Sequence, residues 1–137
     1  MSTVATRVRT EPDPFEPFLI SQAFRVGDLI ITSGQAAIDR NGQLVGVDDF
    51  DAQAEQAFRN LKDLLTAAGS GLDRVVKVTI YLTDMGNFPK IMVLREMWFS
   101  KPYPADTIVE VSSLALPELQ IEIEAIALVD GELRDAK

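Results

Sequence analysis

Apolar and polar residues alternate from Val76 to Thr83, with Val76, Val78, Ile80 and Leu82 on one face and Lys77, Thr79, Tyr81 and Thr83 on the other. A period of two is that of a half-buried strand. Upstream, Ala54, Ala57, Phe58, Leu61, Leu64, Leu65 and Ala68 recur at helical spacing,. Asp48, Asp49 and Asp51 suit the start of that helix, Gly69 suits its C-terminal cap, and Glu55 and Arg59 are placed for an i, i+4 pair,. A second helix is predicted from Asn87, with Pro89 in the first turn, where a missing N–H costs little,. Ile91, Leu94, Arg95 and Trp98 share one side of it, and Pro102 and Pro104 oppose its continuation,. Two strands follow, Thr107 to Leu114 and Gln120 to Val129, with a turn around Pro117. Near the start, Ser21 to Val26 and Leu29 to Ser33 flank the turn dipeptide Gly27-Asp28 and predict a hairpin; Asn41-Gly42 marks another turn,. Pro12, Pro14 and Pro17 make residues 1–20 an arm with one short strand near Val4 to Arg9.

The order is strands, helix, strand, helix, two strands, an α+β arrangement. No linker or repeat divides residues 1–137, so one domain is expected,. If both helices cover the same face of the sheet, the opposite face needs solvent or a partner subunit.

Composition removes several chemistries. At 137 residues, 47% hydrophobic and 25% charged, the chain is suited to a single globular core,. It has no cysteine and no histidine, which excludes disulfides, thiolate nucleophiles, cysteine-based zinc sites and the Ser-His-Asp and Cys-His arrangements,. Acid and base chemistry falls to carboxylates, lysine, tyrosine, backbone groups or water. No cofactor is called for. A net charge of −8 opposes a broad phosphate-binding surface, so nucleic acid is not an expected partner,. No apolar run approaches the ~18 residues of a membrane span, and the first residues lack the apolar core of a secretory signal,. The expected compartment is the cytoplasm.

Carboxylates are the clearest candidates for chemistry. Alternation along Gln120 to Leu128 puts Glu122 and Glu124 on one face, about 7 Å apart,. Either both face water and inter-strand partners or they form an acid pair with a perturbed pKa. Other groups read more plainly. Ile91, Met92, Leu94 and Trp98 suit core packing. Asp48, Asp49 and Asp51 lack the glycine and distant glutamate of a calcium loop, so no metal site is assigned,. Gly69-Ser70-Gly71 follows a helix instead of opening one, unlike a phosphate loop,.

The frame Pro104-Ala105-Asp106-Thr107-Ile108-Val109-Glu110-Val111, a short linker, then Ile121-Glu122-Ile123-Glu124-Ala125-Ile126-Ala127 resembles the C-terminal signature of the RidA/YjgF family. Ser21-Gln22-Ala23, Val26-Gly27-Asp28, Ile31-Thr32-Ser33-Gly34-Gln35, Gln53, Val76-Lys77-Val78-Thr79 and Leu82-Thr83-Asp84-Met85 are similar to that family in order and spacing. The resemblance implies a chorismate-mutase-like fold: a mixed sheet covered on one face by two helices and assembled as a homotrimer, with small-molecule clefts between subunits. Family members usually carry an arginine for the substrate carboxylate where this chain has Asp106. A tyrosine and an asparagine that touch the ligand in relatives fall on Ile20 and Met92. Ser33 and Gly34, whose backbone lines the cleft in relatives, are retained. So is Glu122, implied as the catalytic group that positions water, with the backbone carbonyl of Ile108 as a further contact.

Charge reversal at that position is not small. A unit pair about 4 Å apart is worth roughly 4 kcal/mol at an effective dielectric near 20. An imino-acid carboxylate should therefore be disfavoured, unless Arg25, Arg74, Arg95 or Lys101 compensates. Without the family frame, Asp106 reads as a solvated acid of a turn; within it, if Asp106 joins Glu122 in a partly buried cleft, repulsion and desolvation should raise at least one pKa. Two classes fit the sequence. One is a hydrolase or deaminase of enamines, imines or related metabolites, distinct from a standard 2-imino acid deaminase. The other is a non-catalytic protein that binds a small ligand in the same cleft.

Overall fold

In the computed structural model, which describes residues 2–137 and so leaves Met1 of the arm outside it, the arm contributes the strand β1 (Ala5–Val8). The hairpin follows as β2 (Ala23–Val26) and β3 (Leu29–Thr32), turning at Gly27 with φ of +60°. A two-residue strand β4 (Gln35–Ala36) comes next, then the helix α1 (Phe50–Ala67). Asp49 caps α1 by accepting a bond from Ala52 N, and Gly69, at φ +81°, lies just past the cap residue Ala68. The predicted Glu55–Arg59 pair closes at 2.9 Å.

After α1 come β5 (Val75–Leu82), α2 (Phe88–Trp98), β6 (Ala105–Glu110) and β7 (Ile121–Leu128). Asn87 stands at the start of α2 without a side-chain capping bond; a 3₁₀ turn over Met85–Asn87, capped by Asp84, prepares that start instead. The strand expected from Thr107 to Leu114 begins two residues earlier and stops at Glu110.

The strands form one mixed sheet in the order β1-β2-β3-β7-β5-β6, with β4 also on β7 and only β5–β6 parallel. Ile121, Ile123, Ala125 and Ala127 of β7 are buried, as are Val75, Val78, Ile80 and Leu82 of β5. Val75, not Val76, opens the buried row, because the β5–β7 register shifts between Val75 and Lys77. An irregular pairing of this kind reverses which face a residue serves. Both helices meet this face: α1 supplies Phe58, Leu61, Leu64 and Leu65, while α2 supplies Ile91 and half-buried Trp98, which stacks on Phe58 at 5.6 Å between ring centroids. The opposite face carries Phe24, Ile31 and Val109, all exposed, beside Thr79, Tyr81, Glu122 and Glu124.

Gln53 is the buried polar exception in α1. Its amide donates to Gly46 O at 3.1 Å and Glu118 O at 2.8 Å and accepts from Gln120 N at 2.8 Å. One side chain thus ties α1 to the segment that leads into β7, satisfying groups that would be costly to bury unpaired.

Candidate functional site

Glu122 stands near the start of β7 on the sheet face away from the helices, opposite Ala36 of β4 and Tyr81 of β5. Its surroundings follow from a break in the neighbouring strand. β3 ends at Thr32 and β4 begins at Gln35, so Ser33 and Gly34 leave the ladder. Thr32 replaces a lost ladder bond with its hydroxyl, which accepts from Ala125 N at 3.0 Å. Ser33 is pinned twice, its N–H donating to Gln22 O at 2.8 Å and its hydroxyl donating to Ser21 O. The Glu122 carboxylate lies against Gly34: a β-carbon there would fall 2.5 Å from Glu122 Cδ. Only glycine permits that approach.

A cleft of about 470 Å³ opens over these residues, walled by Phe15, Phe18, Ile20, Ile38, Leu116 and Leu119. The setting raises the Glu122 pKa above its ordinary value, first through burial and second through the charge of Glu124,. Glu124 accepts a short hydrogen bond from the Tyr81 hydroxyl. That bond, more than burial or the two carboxylate charges, raises the Tyr81 pKa. Glu124 thus has an inter-strand partner, and its charge is still felt by Glu122.

Asp106 sits elsewhere. Val78, on the helix-covered face, pairs with both Asp106 and Ala125, whereas Tyr81 pairs with Glu122. Directly paired residues share a face, so Asp106 and Glu122 lie on opposite faces of the sheet, with β5 between their strands. Within one chain they therefore do not meet, and a cleft that holds both would need a neighbouring copy. Asp106 is also not a solvated turn acid. It belongs to β6 and accepts two bonds from Arg95 of α2, Nε to Oδ2 at 2.9 Å and Nη2 to Oδ1 at 3.0 Å, with side-chain exposures of 23% for Arg95 and 18% for Asp106. The pair lines a second cleft of about 490 Å³ together with Met92, Glu96, Phe99 and Tyr103. Met92 is 55% exposed there, so the core role expected of it holds for Ile91 and not for Met92.

The site residues expected from sequence thus fall into two groups. Ile20, Ser33, Gly34 and Glu122 meet in the first cleft, and Met92 and Asp106 in the second. Ile108, paired with Ile80, turns its side chain onto the core beneath α2. Two participants were not singled out by sequence reasoning. Tyr81 lay on the polar side of an alternating strand, and Arg95 was one of four cations without a criterion to separate them. Of the others, Arg25 donates to Gly27 O and Arg74 to Gly69 O and Gly131 O, all backbone. Among the described residues no group of three or more Asp, Glu, His or Cys side chains could hold a metal ion. Asp51 of the N-terminal acidic run pairs with Lys90 at 3.0 Å.

Comparison with known proteins gives a consistent picture. Residues 8–129 match the family model described as Endoribonuclease L-PSP. The chain is 42% identical over 117 residues to a RutC family protein of Pyrococcus horikoshii, covering 85% of this chain and 90% of that protein. It is 34% identical over 130 residues to the 2-iminobutanoate/2-iminopropanoate deaminase of Escherichia coli strain K12, covering 92% and 96%. Among solved structures, RidA of the Antarctic bacterium Psychrobacter superposes with a TM-score of 0.82 at 35% identity, covering 90% of this chain and 98% of that one.

Proposed function

This chain belongs to the RidA/YjgF family, and from that premise we propose that it hydrolyses a small imine or enamine in clefts formed between the subunits of a homotrimer. The observation that carries the reading is Glu122: a carboxylate with a raised pKa, set against Gly34 in an apolar cleft. A carboxylate whose pKa is raised toward neutrality suits general acid–base work.

In the proposed reaction Glu122 takes a proton from water as the water oxygen bonds to the imine carbon. The C=N electron pair moves to nitrogen, which takes the proton back from Glu122; the hydroxyl proton of the resulting carbinolamine then passes through Glu122 to the amine as the C–N bond breaks, leaving a carbonyl and ammonia. Ser33 and Gly34 offer backbone to the substrate, the carbonyl of Ile108 helps to place the water, and Ile20 forms part of the apolar wall.

Assembly is proposed on two grounds. The open sheet face presents Phe24, Ile31 and Val109 to solvent in a single chain, and an apolar face of that kind calls for a cover. In addition, the Glu122 cleft and the Arg95–Asp106 cleft lie on opposite faces of one sheet, so only a neighbouring copy could bring one against the other. Cleavage of RNA is not part of the proposal, given a net charge of −8,.

Ammonia release from 2-iminobutanoate generated in situ, with the oligomer measured by light scattering, tests the reading. Wild type should accelerate release, at a rate below that of arginine-bearing relatives, and Glu122→Gln should not. A second reading, a binding protein without catalysis, is favoured by the apolar residues Ile20 and Met92 at positions where relatives carry polar ligand contacts. It predicts no release above background, together with saturable small-molecule binding that is lost on Gly34→Leu.

A further inference from the structure

Asp106 carries a charge opposite to that of the arginine usual at its position, which on its own would turn a carboxylate ligand away. Its pairing changes this. A guanidinium has five N–H donors and two edges able to meet a carboxylate side by side, one made by Nε and Nη2, the other by Nη1 and Nη2. Asp106 occupies only the first edge of Arg95, at 2.9 and 3.0 Å. Nη1 makes a weak contact with Met92 Sδ at 3.5 Å. The Phe88 ring lies 5.8 Å from the guanidinium carbon, a further support for the head group. Arg95 is thus held by Asp106, Phe88 and Met92 while lining a cleft of about 490 Å³.

We propose that Arg95 is the residue of this cleft that selects the ligand: its Nη1–Nη2 edge receives a carboxylate, and Asp106 is the positioning residue that aims it. This rests on the cleft reading above and names the residue that receives a ligand carboxylate in a chain with Asp106 at the arginine position. The pair is neutral as a unit, and exposed Glu96 adds a negative charge at the rim. Recognition therefore comes from two directed, charge-assisted hydrogen bonds instead of net attraction, which suits one planar carboxylate and disfavours a dianion. Met92 and Tyr103 offer apolar surface to the rest of such a ligand.

The test uses butanoate and butanamide, which share a skeleton and differ in charge, titrated into the full-length protein at constant ionic strength and followed by NMR. Wild type should bind butanoate at least about tenfold more tightly than butanamide. Arg95→Gln should bring the two affinities together, and Arg95→Gln with Asp106→Arg should restore the preference by returning a guanidinium from β6. Arg95→Lys keeps the charge and removes the fork; it should lose most of the preference, and it serves if the glutamine variant does not fold. Equal affinities in wild type, or a preference that survives in the Arg95 variants, would overturn the role of Arg95 and leave the cleft reading standing. Binding of neither probe would overturn the role of Arg95, while ammonia release tests the cleft reading separately.

Discussion

Glu122 and Asp106 are both carboxylates on strands of one sheet, and their surroundings treat charge in opposite ways. Glu122 is covered by Gly34 and apolar walls, has another acid two residues away on its own face, and has its pKa raised. Asp106 is neutralised by a two-pronged bond from Arg95 across to α2. An unpaired carboxylate kept from water is available for proton transfer, whereas a paired one is spent on geometry. On the function proposed above, the difference places chemistry in the first cleft and recognition in the second.

Five measurements would break or sharpen that contrast. The largest effect is expected from Glu122→Gln, which should lower the rate of ammonia release from 2-iminobutanoate on the order of 10²-fold or more, while Asp106→Asn should leave a larger share of the rate. Equal losses would erase the division of labour. Gly34→Ala forces the Glu122 side chain aside, since the added carbon would lie 2.5 Å from Cδ; the rate should fall by roughly ten- to a hundredfold with the fold retained by circular dichroism. A double-mutant cycle on Arg95 and Asp106, read by urea unfolding, should return a favourable coupling of about 1 kcal/mol. The same cycle on Glu122 and Glu124 should give a coupling of opposite sign.

The smallest signal is a trend with pH. The Glu122 pKa is raised above 4.5 in the folded chain. The folded state therefore binds the proton more strongly than the unfolded state, and stability falls as pH rises from about 4.5 through the folded value,. Glu122→Gln removes the titrating group, so its stability relative to wild type should be greater at neutral pH than near pH 4. A flat difference across that range would mean that Glu122 is not desolvated in solution.

Local periodicity revealed most of the scaffold. α1 could be read from its apolar spacing and its acidic start, and the hairpin from Gly27-Asp28, because those signals act within a few residues. The shift from Val76 to Val75 was not visible, since a register irregularity belongs to a pair of strands and not to either one alone. For the same reason the sequence could place Glu122 and Glu124 on one face, but it could not show that Asp106 lies on the other face of the same chain's sheet. Alternation within β7 needs no partner, whereas the face of Asp106 depends on the parallel pairing of β6 with β5. Arg95 was one cation among four until α2 was laid over that strand. Met92 read as core because helical spacing marks a side of the helix but not where the covering strand ends.

The amide of Gln53 has a practical consequence for anyone redesigning this scaffold. It grips Glu118 O and Gln120 N, immediately downstream of the loop that carries Leu116 and immediately upstream of Glu122. Residues 111–117 are therefore a graftable stretch. Their length and chemistry can be exchanged to reshape the cleft entrance, while Gln53 and the pairing of β7 with β3, β4 and β5 keep that strand aligned.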